Sequence, residues 1–228
     1  MPRNVLTAEE LDSMRSRLCL AALAIFRDQG IEAVSFRALA DKVGVSHTLP
    51  YRYFENKDGL LASVRVACFK QFERFVRDRE PAEGEALQRV LAVTDAYVSF
   101  VFAHPVEYAL IFATAQPPPQ RYPELLAARR SLFEHSVALV QLCVDEGVVR
   151  GDARGITHAV WGSLHGLLTL HVANQLVHGY TIGELVRPTI FRILGLGKDR
   201  SEPATLEHTE QRGNAAPRGI PTPARGSR

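Results

Sequence analysis

The stretch GVSHTLPYRYFENKDGLL, Gly44 to Leu61, does not have the composition of an ordinary amphipathic helix. It crowds hydroxyl, imidazole, guanidinium and ammonium groups beside three aromatics, with Pro50 just ahead of the aromatic run. The flanks account for it. Ser35 is placed to cap a short helix over Phe36, Leu39, Ala40 and Val43, which Gly44 ends as a left-handed stop. A second short helix over HTLPYRYF follows. Two short helices joined by a glycine-containing turn form a helix-turn-helix, whose second helix enters the major groove with its first turn toward base edges. First-turn amides have no intrahelical partner and attract phosphate. Ser46 or Thr48 is placed to cap, and Pro50 sits in or beside the first turn, where a missing N–H costs little. Pro50 also disfavours helical angles at Leu49. Thr48, Tyr51 and Arg52 are then expected on base edges, and Ser35, Arg37, His47, Tyr53 and Lys57 mostly on phosphates, with Ser46 at the cap. Lys57 opens the next helix, where a cation opposes the helix dipole, so its placement suits an outside anion.

Outward from this stretch, the apolar spacing is helical throughout. Leu11, Met14, Leu18, Ala21, Ala22, Ile25 and Phe26 mark a first helix, opened by a Thr7/Glu10 capping box and stopped at Gly30. A helix starting at Asn56 or Lys57 carries Leu60, Leu61, Val64, Cys68, Phe69 and Phe72. The polar run DREPAEGE, Asp78 to Glu85, reads as a domain boundary. It separates a helix-turn-helix domain (7–78, with a short arm over 1–6) from a second helical domain (85–197). That second domain opens with a helix from Leu87 to Val101, broken at His104-Pro105 and followed by a short helix over Val106 to Phe112. AQPPPQRYP is a stiff loop, since adjacent prolines leave no amide donors. Pro123 or Glu124 begins a long helix to about Glu146, another spans about Asp152 to Val177, and a last runs from Thr181 to Leu194 with a bend at Pro188. Residues 198–228 are too poor in apolar side chains to offset ordering and are expected to be disordered. The fold class is all-α with about nine helices: an N-terminal three-helix helix-turn-helix DNA-binding unit and a C-terminal helical unit.

Composition narrows the setting. The chain has 228 residues, 46% hydrophobic and 23% charged, which supports a buried core without staples. A net charge of +2 means that any basic surface is local. Cys19, Cys68 and Cys143 are scattered and lack CxxC spacing, which suits a reducing compartment and excludes a disulfide framework or zinc site. No signal peptide and no uninterrupted apolar run of about 18 residues is present, so cytoplasmic location, no membrane partner, no cofactor and no metal are expected. Paired catalytic carboxylates and nucleotide loops are absent, which argues against an enzyme.

FRDQGIEAVSFRALADKVGVS, continuing to YRYFENKDGLL, closely resembles the DNA-binding domain of TetR-type bacterial transcriptional regulators over residues 8 to 72. The family pattern places a Gly-Val-Ser turn before an aromatic-X-aromatic-Phe run and a Lys, here Gly44, Val45, Ser46, Tyr51, Tyr53, Phe54 and Lys57. The resemblance implies a homodimer on operator DNA that commonly represses until a small ligand releases it. Two departures stand out. Many members have Thr where this chain has Val34, which removes one phosphate contact. Thr48-Leu49-Pro50 replaces the frequent Gly-Thr-Leu and resembles, with WGSLHG from Trp161 to Gly166, the subgroup called WHG-domain regulators.

In the second half, Gly155, Ala159, Gly162, Gly166, Thr169 and Ala173 recur at spacings of four and three, a small-residue seam that admits a partner helix closely. With Leu185, Thr189 and Ile193 of the last helix it forms the expected dimer interface. Trp161, His165 and His158 flank the seam, while His171 and His178 face elsewhere. Tyr97, Phe100, His104, Tyr108, Phe112 and Phe133, with Trp161 and His165, are candidates to line a ligand pocket. Such an aromatic stripe also suits plain core, and a filled core would favour a constitutive DNA-binding or scaffolding module over a sensor. The expected partners are a roughly palindromic duplex operator, an unidentified small-molecule effector and a second copy of the chain.

Overall fold

A computed structural model describes residues 8–113 and 115–196. The Thr7 cap, the arm over 1–6 and the tail over 198–228 lie outside the described residues, as does the side chain of Glu10. Among the described residues there are eight α-helices and no strand. They are α1 (Ala8–Gln29), α2 (Phe36–Val43), α3 (Lys57–Arg77), α4 (Ala86–Ala103), α5 (Pro105–Tyr108), α6 (Pro123–Asp145), α7 (Ala153–Val172) and α8 (Ile182–Ile193).

The local chemistry sets the ends. Ser35 Oγ accepts from Ala38 N at 3.2 Å, and Gly44 closes α2 with φ 74°. Asn56 Oδ1 accepts from Gly59 N at 2.9 Å and fixes the start of α3. Thr181 and Glu184 complete a reciprocal capping box on α8.

α3 is the spine. Its first half packs on α1, and its later turns pack on α4 and α6. One continuous apolar cluster runs through both regions, from Leu18 and Leu39 to Leu168 and Ile190. Phe72 sits at its centre, fully buried, with its ring stacked 4.2 Å from Phe100 and edge-on 5.0 Å from Tyr97. Replacing a buried Phe of this kind by Ala costs about 3–5 kcal/mol. α4 is long and apolar enough, by length and composition, to cross a membrane, but 56% of it is buried inside the fold, as a core helix would be.

The structure departs from the sequence expectations in three places. The expected recognition helix over HTLPYRYF is a chain of tight turns with a single 3₁₀ segment, Pro50–Arg52. Leu49 N bonds Ser46 O at 2.9 Å, Arg52 N bonds Leu49 O at 3.0 Å, and Phe54 N bonds Pro50 O at 3.1 Å. Leu49 is nonetheless helical, at φ −64° and ψ −45°, against the usual restriction before proline. Secondly, the short helix expected over Val106 to Phe112 is one α turn that widens into a π-helix at Ala109–Ala113. The side chains of Arg65 and Gln116 both donate to Leu110 O at 3.2 Å, giving that carbonyl partners from outside its own helix. Thirdly, α7 stops at Val172, well before Val177, because Asn174 takes the left-handed conformation (φ 55°) and Gln175 N turns back to Leu170 O at 2.8 Å.

The run over 78–85 is anchored by Glu80. Its buried carboxylate accepts from Arg89 Nε at 3.0 Å and from His135 Nε2. His135 Nδ1 lies 3.3 Å from Arg77 Nη1, and because a guanidinium only donates, the ring hydrogen belongs on Nε2, facing Glu80. Burial alone would raise the Glu80 pKa, but the hydrogen bonds from His135 and Arg89 outweigh it and lower the carboxyl below its ordinary value. A lowered carboxyl stabilises the fold above the unfolded-state pKa, and the gain is lost as pH falls through the folded value. Glu80→Gln should therefore lower stability at pH 7, and the deficit should shrink progressively below about pH 4.3. Urea unfolding of both proteins across that range measures it.

Candidate nucleic-acid interface and internal cavity

The polar face of the recognition segment is open to solvent. Ser35, Arg37, Ser46, His47, Thr48, Tyr51 and Arg52 are all exposed. Tyr51 is 65% exposed, yet its orientation is set by an edge-on contact with the Phe36 ring at 4.6 Å. Ser46 Oγ and Thr48 Oγ1 lie 3.2 Å apart, and His47 Nε2 is 2.8 Å from Asp41 Oδ1 on α2, so these side chains are partly ordered before any ligand arrives. Arg37 and Arg52 have no ion-pair or hydrogen-bond partner among the described residues. Two expected phosphate groups differ from that pattern. Tyr53 is half-buried and packs on the core. Lys57, expected to await an outside anion, donates to Glu32 O at 3.4 Å and lies 3.9 Å from the Glu32 carboxylate. Val34 is fully buried and is part of the core.

Behind this face, between α3, α4, α6 and α7, lies a cavity of about 510 Å³. Tyr97, Phe112, Phe133, Trp161 and His165 stand in its wall as expected from their spacing. Phe100, His104 and Tyr108 do not. Phe100 and His104 turn toward α3: Phe100 is held between Phe72 and Phe75, and His104 packs 4.8 Å from Phe100 with Nδ1 3.3 Å from Gln71 Nε2. Tyr108 stands behind the wall, with its hydroxyl 2.6 Å from His165 Nδ1.

The wall is apolar in effect even where its residues are not. Thr94, Ser136 and Thr157 each donate to a carbonyl of their own helix, at 2.9, 3.1 and 2.7 Å. Tyr97 is the exception: its hydroxyl is buried without a hydrogen-bond partner, although the Tyr108 hydroxyl and the Trp161 indole are its polar neighbours. Leaving such a group unpaired costs about 1–3 kcal/mol. The sequence reading also missed Gln116, Arg129 and Arg130, which border the cavity. The only signal for them was the pair Arg129-Arg130 interrupting an otherwise apolar stretch. Arg129 donates to Gln116 and has no acidic partner among the described residues. Burial lowers its pKa, and Arg129 in turn adds to burial in lowering that of Arg65.

The seam on α7 is exposed along its length, from Gly155 and Ala159 through Gly162, Gly166 and Thr169 to Ala173 at the helix cap. A side chain at Gly162 or Gly166 would meet nothing within 4 Å in the monomer. Gly155 differs, because its amide is capped by Asp152 Oδ2 at 2.6 Å and an added Cβ would lie 3.0 Å from that oxygen. On α8, Leu185, Thr189 and Ile193 are half-buried.

Comparison with known proteins supplies the family. Residues 18–64 match the family described as bacterial regulatory proteins, tetR family, and residues 90–192 match the tetracyclin repressor-like C-terminal domain. The chain belongs to the TetR family of transcriptional regulators. This TetR-family chain is 30% identical over 101 residues to the HTH-type transcriptional activator FasR of Mycolicibacterium smegmatis. The match spans 44% of the chain and 46%, under half, of that relative's length. Among solved structures, a Rhodococcus sp. RHA1 protein of unknown function superposes with a TM-score of 0.71 at 26% identity, covering 86% of this chain and 98% of the other. The fatty acid degradation regulator FadR from Bacillus halodurans gives 0.63 at 17% identity over 82% and 97%, a likeness of fold.

In this TetR-family protein, burial lowers the pKa of His165 below its ordinary value. A histidine held neutral in the fold stabilises above the unfolded-state pKa and withdraws that contribution as pH falls through the folded value. Stability should thus decline as pH drops below about 6.5, less so in His165→Gln. The imidazole carbon shifts of His165 followed by NMR should titrate at lower pH than those of a model peptide.

Proposed function

We propose that this TetR-family regulator is a homodimeric, cytoplasmic repressor of a roughly palindromic duplex operator, released when a small molecule enters its cavity. The observation that carries the reading is that one helix serves both ends. α3 begins just after Phe54 closes the recognition segment, and its Phe69, Phe72 and Val76 stand in the cavity wall. A ligand that fits one placement of α3 better than another shifts the recognition segments with it, whereas one with equal affinity for both shifts nothing. The open cavity supports a sensor over a constitutive module with a filled core. A second reading, an activator, is favoured by the match to FasR, which is named as one. Transcription of a reporter from the selected operator, with and without the protein, separates the two.

On DNA, Thr48, Tyr51 and Arg52 would reach base edges, and Ser35, Arg37, His47, Tyr53 and Lys57 mostly phosphates. Ser46 orders the first turn. The test is selection of duplexes from a random library by the purified protein, followed by compound screening for release. Arg52→Ala should relax preference at one operator position by about 1–3 kcal/mol. Arg37→Ala should weaken all sequences alike and reduce the salt slope by about one, measured by anisotropy across salt. Lys57→Ala should reduce it less, since Glu32 already shares that charge. Equal operator affinity and equal slope in all three variants would sink this docking mode.

The two-fold partner is proposed to sit on the α7 seam and α8. Interior glycines each cost a helix about 1 kcal/mol against alanine, and nothing in the monomer crowds Gly162 or Gly166. One recognition segment alone contacts too few base pairs to single out a site, so pairing is required for specificity. Gly162→Leu should lower dimer and operator affinity together while keeping helicity, as read by sedimentation and circular dichroism. Assignment to the WHG-domain subgroup rests on Trp161, His165 and Gly166, the first two of which border the cavity.

A further inference from the structure

Taking the cavity as the effector site, we propose that its ligand is an amphipathic carboxylic acid, with an extended apolar body and its carboxylate at the Arg129 end.

The cavity is polar at one end only. Phe112 marks that end: its ring lies 5.2 Å from His165 and 6.4 Å from Trp161, and the chain runs on from it to Gln116, which Arg129 bonds. Arg129 is one helical turn before Phe133, whose ring is 6.3 Å from Trp161, the indole neighbouring the Tyr97 hydroxyl. Toward the opposite end the wall is Val76, Val90, Val93, Leu139 and Val140, and the hydroxyls of Thr94, Ser136 and Thr157 along it are each bonded to a carbonyl of their own helix. From Arg129 to Val140 the α6 wall rises about 16 Å at about 1.5 Å per residue, enough for an extended chain rather than a compact polar molecule.

Charge decides the head group. Among the described residues, no Asp or Glu borders the cavity. Arg129 is half-buried, has no acidic partner among the described residues, and bears electrostatically on the buried Arg65. A partly desolvated guanidinium without a counter-ion is a position where an anion lowers the energy and a cation raises it. The Tyr97 hydroxyl is occluded beside the Tyr108 hydroxyl and the Trp161 indole, and offers the head group nothing without a rearrangement. A neutral alcohol would leave Arg129 uncompensated.

The experiment titrates the full chain with dodecanoate and with 1-dodecanol by calorimetry, with and without the selected operator. Dodecanoate should bind roughly 10- to 100-fold more tightly than dodecanol, the range for a hydrogen bond to a charged group. Arg129→Gln should abolish that preference and Arg129→Lys should restore part of it, which separates lost charge from a misfolded site. Equal binding of the two probes, binding of neither, or a preference that survives Arg129→Gln overturns the proposal. Dodecanoate that binds with the expected preference yet leaves operator affinity unchanged keeps the ligand assignment and overturns the release mechanism.

Discussion

Everything in this molecule hangs on α3 being packed at both ends. Its first turns are tied to α1, where Arg15 on α1 donates to Ser63 at 2.8 Å. Its later turns bury Phe69, Phe72 and Val76 against α4 and α6. A helix is stiff over this length, so a displacement at Phe72 is not absorbed before Lys57. The close-packed rings around Phe72 leave no slack on one side, and the cavity leaves space on the other. Under the proposed release mechanism, that asymmetry is what would let α3 shift.

Polar cross-links hold the halves in register without filling the cavity. Arg65, buried on α3, donates to Leu110 O and to Ala115 O at 2.9 Å, and so pins the π-helical turn and the loop after it. Arg27 on α1 meets the buried Glu107 of α5 at 3.4 Å. Glu80 gathers Arg89 and His135 at the end of α3. Each joins segments distant in the chain, and each partner of a buried charge is costly to remove because the other is left uncompensated. Two of the three, those of Arg65 and Arg27, converge on Glu107, Leu110 and Ala115, next in the chain to Ile111, Phe112 and Gln116 of the cavity wall.

Much of the fold was legible because its signals are local. The spacing of Leu11 to Phe26, the cap at Ser35 and the left-handed stop at Gly44 involve residues within a turn or two of each other, and the structure realises them. The misses have non-local or competing causes. The helix expected over HTLPYRYF became turns because Pro50 supplies no amide and the carbonyls are taken by i to i+3 bonds. The run to Val177 was cut at Asn174, which is tolerant of left-handed angles but looks like any polar residue in a helical pattern. The π-turn depends on Arg65, 45 residues away in sequence from Leu110.

The sequence by itself determined the all-helical class, the helix-turn-helix and its exposed polar face, since these follow from propensity, capping and a motif confined to a few turns. Only the tertiary structure decided which aromatics enclose space and which fill it. Tyr97 and Phe100 lie on α4 and His104 at its C-terminal cap, at helical spacing, yet Tyr97 borders the cavity while Phe100 and His104 pack toward α3. The rotation of α4 against α3 makes that distinction, and no residue on α4 encodes it alone. The same holds for Arg129. In sequence it is one of two adjacent arginines on a helix; in the fold it is the half-buried one, bonded to Gln116 from a loop and facing an apolar cavity without a carboxylate. Burial and the absence of a counter-charge are properties of neighbours brought together by packing, which is why a linear reading passes over them.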